Sequence, residues 1–165
     1  MHDDANLNYL WILGPLAGSW LLSLFIGKVD SKSIIKPWFA LPEWSYFGVW
    51  TILYIILGVI LYKSADEGDD LLFWLTLIFT LVTYLWVYTY VLGRSPIHSL
   101  YLLIILLVFS FIIYTEMFYS NMVSDDDPDS FGKGYIFMFI PVMLWILFTL
   151  ITDTHTKYVD ILKSK

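Results

Sequence analysis

The stretch KPWFALPEWSYFGVWTILYIILG, residues 36–58, decides the fold of this chain. Pro37 and Pro42 fix their own backbone angle and disfavour a helical conformation in the residue before them, so the start of the stretch should be rigid and non-helical. Residues 44–62 then carry no charge, and this length is enough to cross a bilayer as a helix. The stretch therefore predicts a proline-rich lid loop, residues 28–43, followed by a membrane-spanning helix.

The composition indicates an integral membrane protein surrounded by lipid. Hydrophobic residues make up 59% of the 165 residues and charged residues only 15%, and the mean hydropathy is +0.72. These values lie outside the range of soluble globular domains. The net charge of -6 argues against a nucleic-acid partner. With no cysteine, and with His2, His98 and His155 far apart, we expect no metal site and no required cofactor.

Charges interrupt the apolar sequence at regular intervals and divide it into membrane-spanning segments. The chain is predicted to be all-α, with a single domain of five transmembrane helices over residues 7–26, 44–62, 71–92, 97–116 and 135–152. An acidic turn is expected at 63–70 and a polar loop at 118–134. Basic residues fall in the first and third loops and at the C-terminus, so the positive-inside rule predicts an N-terminus outside and a C-terminus in the cytosol.

Large aromatic residues recur at helical spacing in the second, third and fifth predicted spans. Aromatic residues make up 19% of the chain and include eight tryptophans, more than interfacial belts usually require. Spacings of three or four residues place each group on one helix face. The group members are Trp50, Tyr54, Thr83, Trp86, Tyr90, Trp145 and Phe148. Two interpretations fit, walls of a pocket for a flat molecule and ordinary packing, and the residues alone favour packing.

Residues 36–58 also resemble the motif of the translocator protein family, whose members are called tryptophan-rich sensory proteins or peripheral-type benzodiazepine receptors. Phe39 stands where that motif has Trp, Leu41 stands where it has the first Pro of a pair, and Trp38 lies one residue early. The matching positions are Lys36, Pro37, Pro42, Trp44, Val49, Trp50, Leu53, Tyr54 and Gly58. The chain is therefore identified as a divergent member of the family.

Two further stretches carry the same resemblance. Trp86 and Arg94 are similar to the family's third-helix pattern, and Pro141, Trp145 and Phe148 are similar to its fifth-helix pattern. Asp153 stands where the fifth-helix pattern has Asn. This carboxylate is interpreted either as a group that binds a polar ligand edge or pairs with Arg94, or as a solvated interfacial residue.

The resemblance implies a five-helix bundle, a homodimer, and a pocket closed by the first loop. Family members bind porphyrins such as protoporphyrin IX and haem, and animal members also bind cholesterol. With the resemblance, the pocket becomes the favoured interpretation of the aromatic faces. The implied ligand-binding residues are Trp50, Tyr54, Thr83, Trp86, Tyr90, Trp145, Phe148 and Asp153, and the implied lid residues are Pro37, Trp38, Phe39 and Pro42. His98 is interpreted as an axial haem ligand or as a headgroup residue.

Three functions are consistent with these features. The first is binding of porphyrin, haem or a sterol-like molecule, for sensing, scavenging or transport. The second is light-dependent porphyrin degradation, in which the resemblance assigns roles to Trp50 and Trp145; no conventional catalytic motif is present. The third is a scaffold protein without ligand, which assembles through Gly14 and Gly18, although packing within the chain is the favoured role of these glycines.

Overall fold

Helices make up nearly all of the described chain. The computed structural model describes residues 10–26, 38–39, 41–91, 96–123 and 134–163. The helices in these ranges are α1 (Leu10–Ile26), α2 (Glu43–Glu67), α3 (Asp70–Val91), α4 (Pro96–Val123) and α5 (Gly134–Lys163). The prediction of an all-α membrane protein is confirmed. Helices α2 to α5 are long and apolar enough to cross a membrane, whereas the described part of α1 is apolar but shorter.

The helices extend past the spans predicted from the charge pattern. Helix α2 continues to Glu67 through the expected acidic turn, α4 continues to Val123 into the expected loop, and α5 continues to Lys163. The expected acidic turn is therefore corrected to Gly68 and Asp69, and residues 118–123 of the expected polar loop are helical, whereas the membrane spans themselves stay predictions. Charges mark where the hydrocarbon layer ends, but residues such as Lys63 and Glu67 are good helix formers and prolong the helix beyond it. Residues 7–9 and 92 of the predicted spans lie outside the described residues.

A tight turn between α2 and α3 sets the register of these two helices. Gly68 adopts a left-handed conformation with φ of 72°, which favours glycine. The backbone N–H of Asp69 donates to the Ser64 carbonyl over 2.9 Å, and the Asp69 carboxylate accepts from the Leu72 N–H over 3.0 Å as the N-cap of α3. Both helix ends are therefore capped, and the middle of α2 faces the middle of α3.

Helices α2 to α5 form a ring in which each packs against two others, with α1 on one side. Helix α2 contacts α3 and α5, α4 contacts α3 and α5, and α1 packs against α2 and α3. Large apolar side chains that are almost fully buried form the core between them, among them Leu57, Ile60, Phe79, Leu106, Ile113 and Phe139. Burial of these side chains, together with the satisfied backbone of each helix, stabilises the bundle in lipid.

Glycines allow α1 to approach its neighbours closely. A methyl group at Gly58 would collide with the backbone carbonyl of Ile12 on α1, and one at Gly18 would lie 2.5 Å from the Tyr84 hydroxyl. The same hydroxyl donates a hydrogen bond to the Pro15 carbonyl. Gly14, in contrast, has no neighbouring atom within 4 Å. Gly18 therefore packs against α3 of the same chain, whereas Gly14 faces open space.

We expect Gly58→Ala to destabilise the protein by about 1–3 kcal/mol, because the added methyl group must displace α1 from α2. Gly48→Ala is the matched control on the same helix, since a methyl group there has no neighbour within 4 Å. Thermal unfolding of the detergent-purified variants measures both. A Gly58→Ala variant as stable as the control would show that the close approach of α1 is unnecessary.

Candidate functional site

Trp50 is the centre of a group of aromatic rings from three helices. Its ring stacks on Trp86 of α3 with 5.5 Å between the ring centroids and lies 5.5 Å from the ring of Tyr54. Trp145 of α5 meets it edge-on at 6.4 Å. Offset stacking and edge-to-face contacts are the favoured aromatic geometries, each contributing about 0.5–1.5 kcal/mol beyond burial. Helices α2, α3 and α5 therefore converge on one tryptophan.

The ring contacts continue outward from these residues. Trp86 stacks on Tyr90 at 5.3 Å, and Trp145 stacks on Phe148 at 5.4 Å. The complete set of connected rings, called here the aromatic cluster, comprises Tyr46, Trp50, Tyr54, Tyr84, Trp86, Tyr90, Trp145 and Phe148. The structure thus brings together every aromatic ring predicted for the site from the second, third and fifth spans.

Sequence reasoning missed two members of the aromatic cluster. Tyr46 meets Trp145 edge-on at 5.4 Å, and its position one helical turn before Trp50 was the available signal. Tyr84 lies 5.4 Å from the ring of Tyr54 and carries the hydrogen bond to α1. No sequence spacing connects Tyr84 with α1, because that contact depends on how α1 packs.

Two buried hydrogen-bond donors lie inside the aromatic cluster. The Tyr54 hydroxyl and the Trp145 indole Nε1 have no hydrogen-bond partner among the described residues, and the two side chains are 3% and 8% exposed. The Thr83 side chain lies near the Tyr54 hydroxyl, and it donates to the Thr80 carbonyl over 2.6 Å. An unpartnered buried donor costs about 1–3 kcal/mol, so both groups favour a ligand with acceptor atoms.

A chain of hydrogen bonds joins the aromatic cluster to Asp153. The Trp86 indole Nε1–H donates to the Ser99 hydroxyl over 3.0 Å, and Ser99 in turn donates to Asp153 Oδ2 over 3.2 Å. The three side chains are buried and come from α3, α4 and α5. Asp153 was predicted as a site residue, whereas Ser99 was missed because no motif marks it.

The lid residues lie at the same end of the bundle as Asp153. Phe39 meets His155 of α5 edge-on with 5.5 Å between the rings, and Trp38 contacts Phe39 at 5.7 Å while remaining 94% exposed. Pro42 immediately precedes α2, and its carbonyl accepts from the Ser45 N–H over 3.0 Å. Pro37 lies outside the described residues. Phe39 therefore contacts α5, and Trp38 contacts Phe39.

The described residues offer few groups that could bind a metal ion. Within the described ranges, no three His, Asp or Glu side chains gather in a way that could hold one. His98 is exposed at the start of α4 and lies outside the aromatic cluster. A flat ligand in the cluster would meet indole, phenol and phenyl rings there.

Comparison with known proteins identifies the family. The family model described as TspO/MBR family matches residues 11–159, which is nearly the whole chain. No curated protein matches the sequence. The match covers most or all of each helix, the whole aromatic cluster and the hydrogen-bonded residues Trp86, Ser99 and Asp153. The chain therefore belongs to the TspO/MBR family, the translocator protein family that residues 36–58 resemble, and is an integral membrane protein.

Proposed function

We propose that this protein binds a flat, largely apolar ligand of the tetrapyrrole class in the aromatic cluster, and acts in sensing, scavenging or transport. The observation that carries the proposal is the convergence of three helices on Trp50, whose ring contacts Tyr54, Trp86 and Trp145. Flat aromatic walls with few polar groups suit a planar macrocycle. Membership of a family that binds tetrapyrroles and sterols supports the same ligand class.

The unpartnered donors indicate that the ligand carries hydrogen-bond acceptors. Within the described ranges, neither the Trp145 indole N–H nor the Tyr54 hydroxyl has a hydrogen-bond partner, so a ligand with nitrogen or oxygen acceptors would satisfy both groups. A pure hydrocarbon would leave them unsatisfied. The edge of a tetrapyrrole supplies such acceptors, and Asp153 adds a carboxylate at the end of the cluster where Tyr90 lies.

The lid loop completes the proposed site. Phe39 contacts His155, two residues beyond Asp153 in α5, so this lid residue lies near the end of the aromatic cluster. We propose that the loop covers this end when ligand is bound. In the membrane, the loop and the C-terminus face the cytosol in this proposal, with the N-terminus outside and a homodimer as the assembly.

A specific observation favours light-dependent degradation of the bound ligand as a second candidate function. Trp145, Trp50 and Trp86 form an unbroken series of indole contacts across the cluster. Indoles are the most easily oxidised rings among the apolar side chains, so such a series can donate electrons to a photoexcited macrocycle. A scaffold role is less well supported, because the aromatic cluster is intact.

Titration of the detergent-purified protein with protoporphyrin IX should quench tryptophan fluorescence saturably. We expect Trp50→Phe and Trp145→Phe to weaken binding about tenfold each, since each loses part of a ring contact, and Trp145→Phe also loses the indole donor. Trp74→Phe is the matched control, because Trp74 is 57% exposed on α3 and contacts Phe73 outside the cluster. A flat titration with folded protein would contradict the binding proposal.

Illumination of the protoporphyrin complex tests the second candidate function. Loss of the porphyrin absorption band should be faster with the protein than without it, and Trp50→Phe should slow that loss because the substitution breaks the indole series. Trp74→Phe should leave the rate unchanged. Equal rates of porphyrin loss with and without protein would remove this candidate.

Single cysteines test the proposed orientation, since the natural chain contains none. Asp66→Cys, exposed near the end of α2, should react with a membrane-impermeant maleimide in intact cells. Trp38→Cys in the lid loop should react only after permeabilisation. The reverse pattern of labelling would show that the chain is inserted the other way round.

A further inference from the structure

We propose that Trp86, Ser99 and Asp153 form a proton-coupled electron donor, in which Trp86 reduces a photoexcited macrocycle while its indole proton moves toward Asp153. The proposal rests on the proposed function in its light-dependent form. It assigns the electron-donating role to Trp86 and a proton-accepting role to the buried residues Ser99 of α4 and Asp153 of α5.

Hydrogen bonding distinguishes Trp86 from Trp145, the other tryptophan in contact with Trp50. The Trp86 N–H already donates to the Ser99 hydroxyl over 3.0 Å, and the Ser99 hydroxyl already points its own hydrogen at Asp153 Oδ2 over 3.2 Å. The Trp145 N–H has no partner among the described residues. One-electron oxidation makes the indole N–H a far stronger acid, so a hydrogen-bonded proton acceptor favours the neutral radical. Trp86 meets this condition.

The step balances in atoms and charge. The photoexcited macrocycle takes one electron from the Trp86 ring and becomes a radical anion. The Trp86 N–H bond breaks as its proton bonds to Ser99 Oγ, and the original Ser99 O–H bond breaks as that proton bonds to Asp153 Oδ2. The products are a neutral Trp86 radical, an intact Ser99 hydroxyl and a protonated Asp153.

The position of Trp86 also suits electron transfer within the cluster. Its ring stacks on Trp50 at 5.5 Å with an angle of 30° between the planes, and Trp50 is in contact with Trp145. If Trp50 or Trp145 is oxidised first, an electron can therefore move to it from Trp86. Loss of the Trp86 indole proton then stabilises the radical on Trp86. Burial of all three relay side chains excludes water that would otherwise compete for the proton.

Laser flash photolysis of the protoporphyrin IX complex tests the relay. Transient absorption and electron paramagnetic resonance should show a neutral tryptophan radical whose formation is slower in deuterated water. We expect Asp153→Asn and Ser99→Ala to lower the rate of neutral-radical formation about tenfold, equivalent to about 1.4 kcal/mol in barrier, and to remove the isotope effect. Ser110→Ala is the matched control, because this buried serine of α4 donates to the Leu107 carbonyl of its own helix.

A second arm makes the result independent of porphyrin binding. A photo-oxidising ruthenium complex attached to Thr154→Cys, in a chain with no other cysteine, replaces the macrocycle as oxidant. Absence of protoporphyrin binding would overturn the proposed function. The experiment with the ruthenium complex would then show whether the Trp86 proton moves through Ser99 to Asp153. If Ser99→Ala forms the neutral tryptophan radical at an unchanged rate and with an unchanged isotope effect, in either experiment, the relay is overturned. If both are lost in Ser99→Ala but kept in Ser110→Ala, the relay is supported.

Discussion

The tight turn at Gly68 is the constraint on which the candidate site depends. Gly68 lies midway in sequence between Trp50 and Trp86, so an antiparallel pair of helices joined there places the two indoles at the same level. The left-handed glycine ends α2, and the Asp69 carboxylate begins α3 one residue later. With no slack in the connection, stacking of Trp50 on Trp86 follows from the register of the two helices.

The buried hydroxyl groups fall into two classes, those that bond within their own helix and those that connect different helices. Most described serine and threonine hydroxyls in the helices, such as those of Ser64 and Thr149, donate to a carbonyl of their own helix, which satisfies them in lipid without specifying tertiary structure. Ser99 instead links Trp86 to Asp153 across three helices. A buried carboxylate needs hydrogen-bond donors, and Ser99 supplies one to Asp153.

The sequence predicted the aromatic faces well because they depend on helical periodicity, which the tertiary fold leaves unchanged. Trp50 and Tyr54, Trp86 and Tyr90, and Trp145 and Phe148 each share a face whatever the neighbouring helix does. Contacts between helices could not be derived in this way. Ser99 carries no motif, and the contact between Phe39 and His155 joins residues far apart in the chain. Helix ends were also missed, since polar residues that leave the hydrocarbon layer can remain helical.

Helix α1 is linked to the candidate site through side chains rather than by lining it. The Pro15 carbonyl accepts a hydrogen bond from Tyr84, the Tyr84 ring contacts Tyr54, and the Tyr54 ring contacts Trp50. Close-packed interiors transmit displacement because they contain few voids into which a ring can move. The close approach at Gly58 holds α1 against the same part of α2. The position of α1 is therefore connected to the rings around Trp50 through the side chains of Tyr84 and Tyr54.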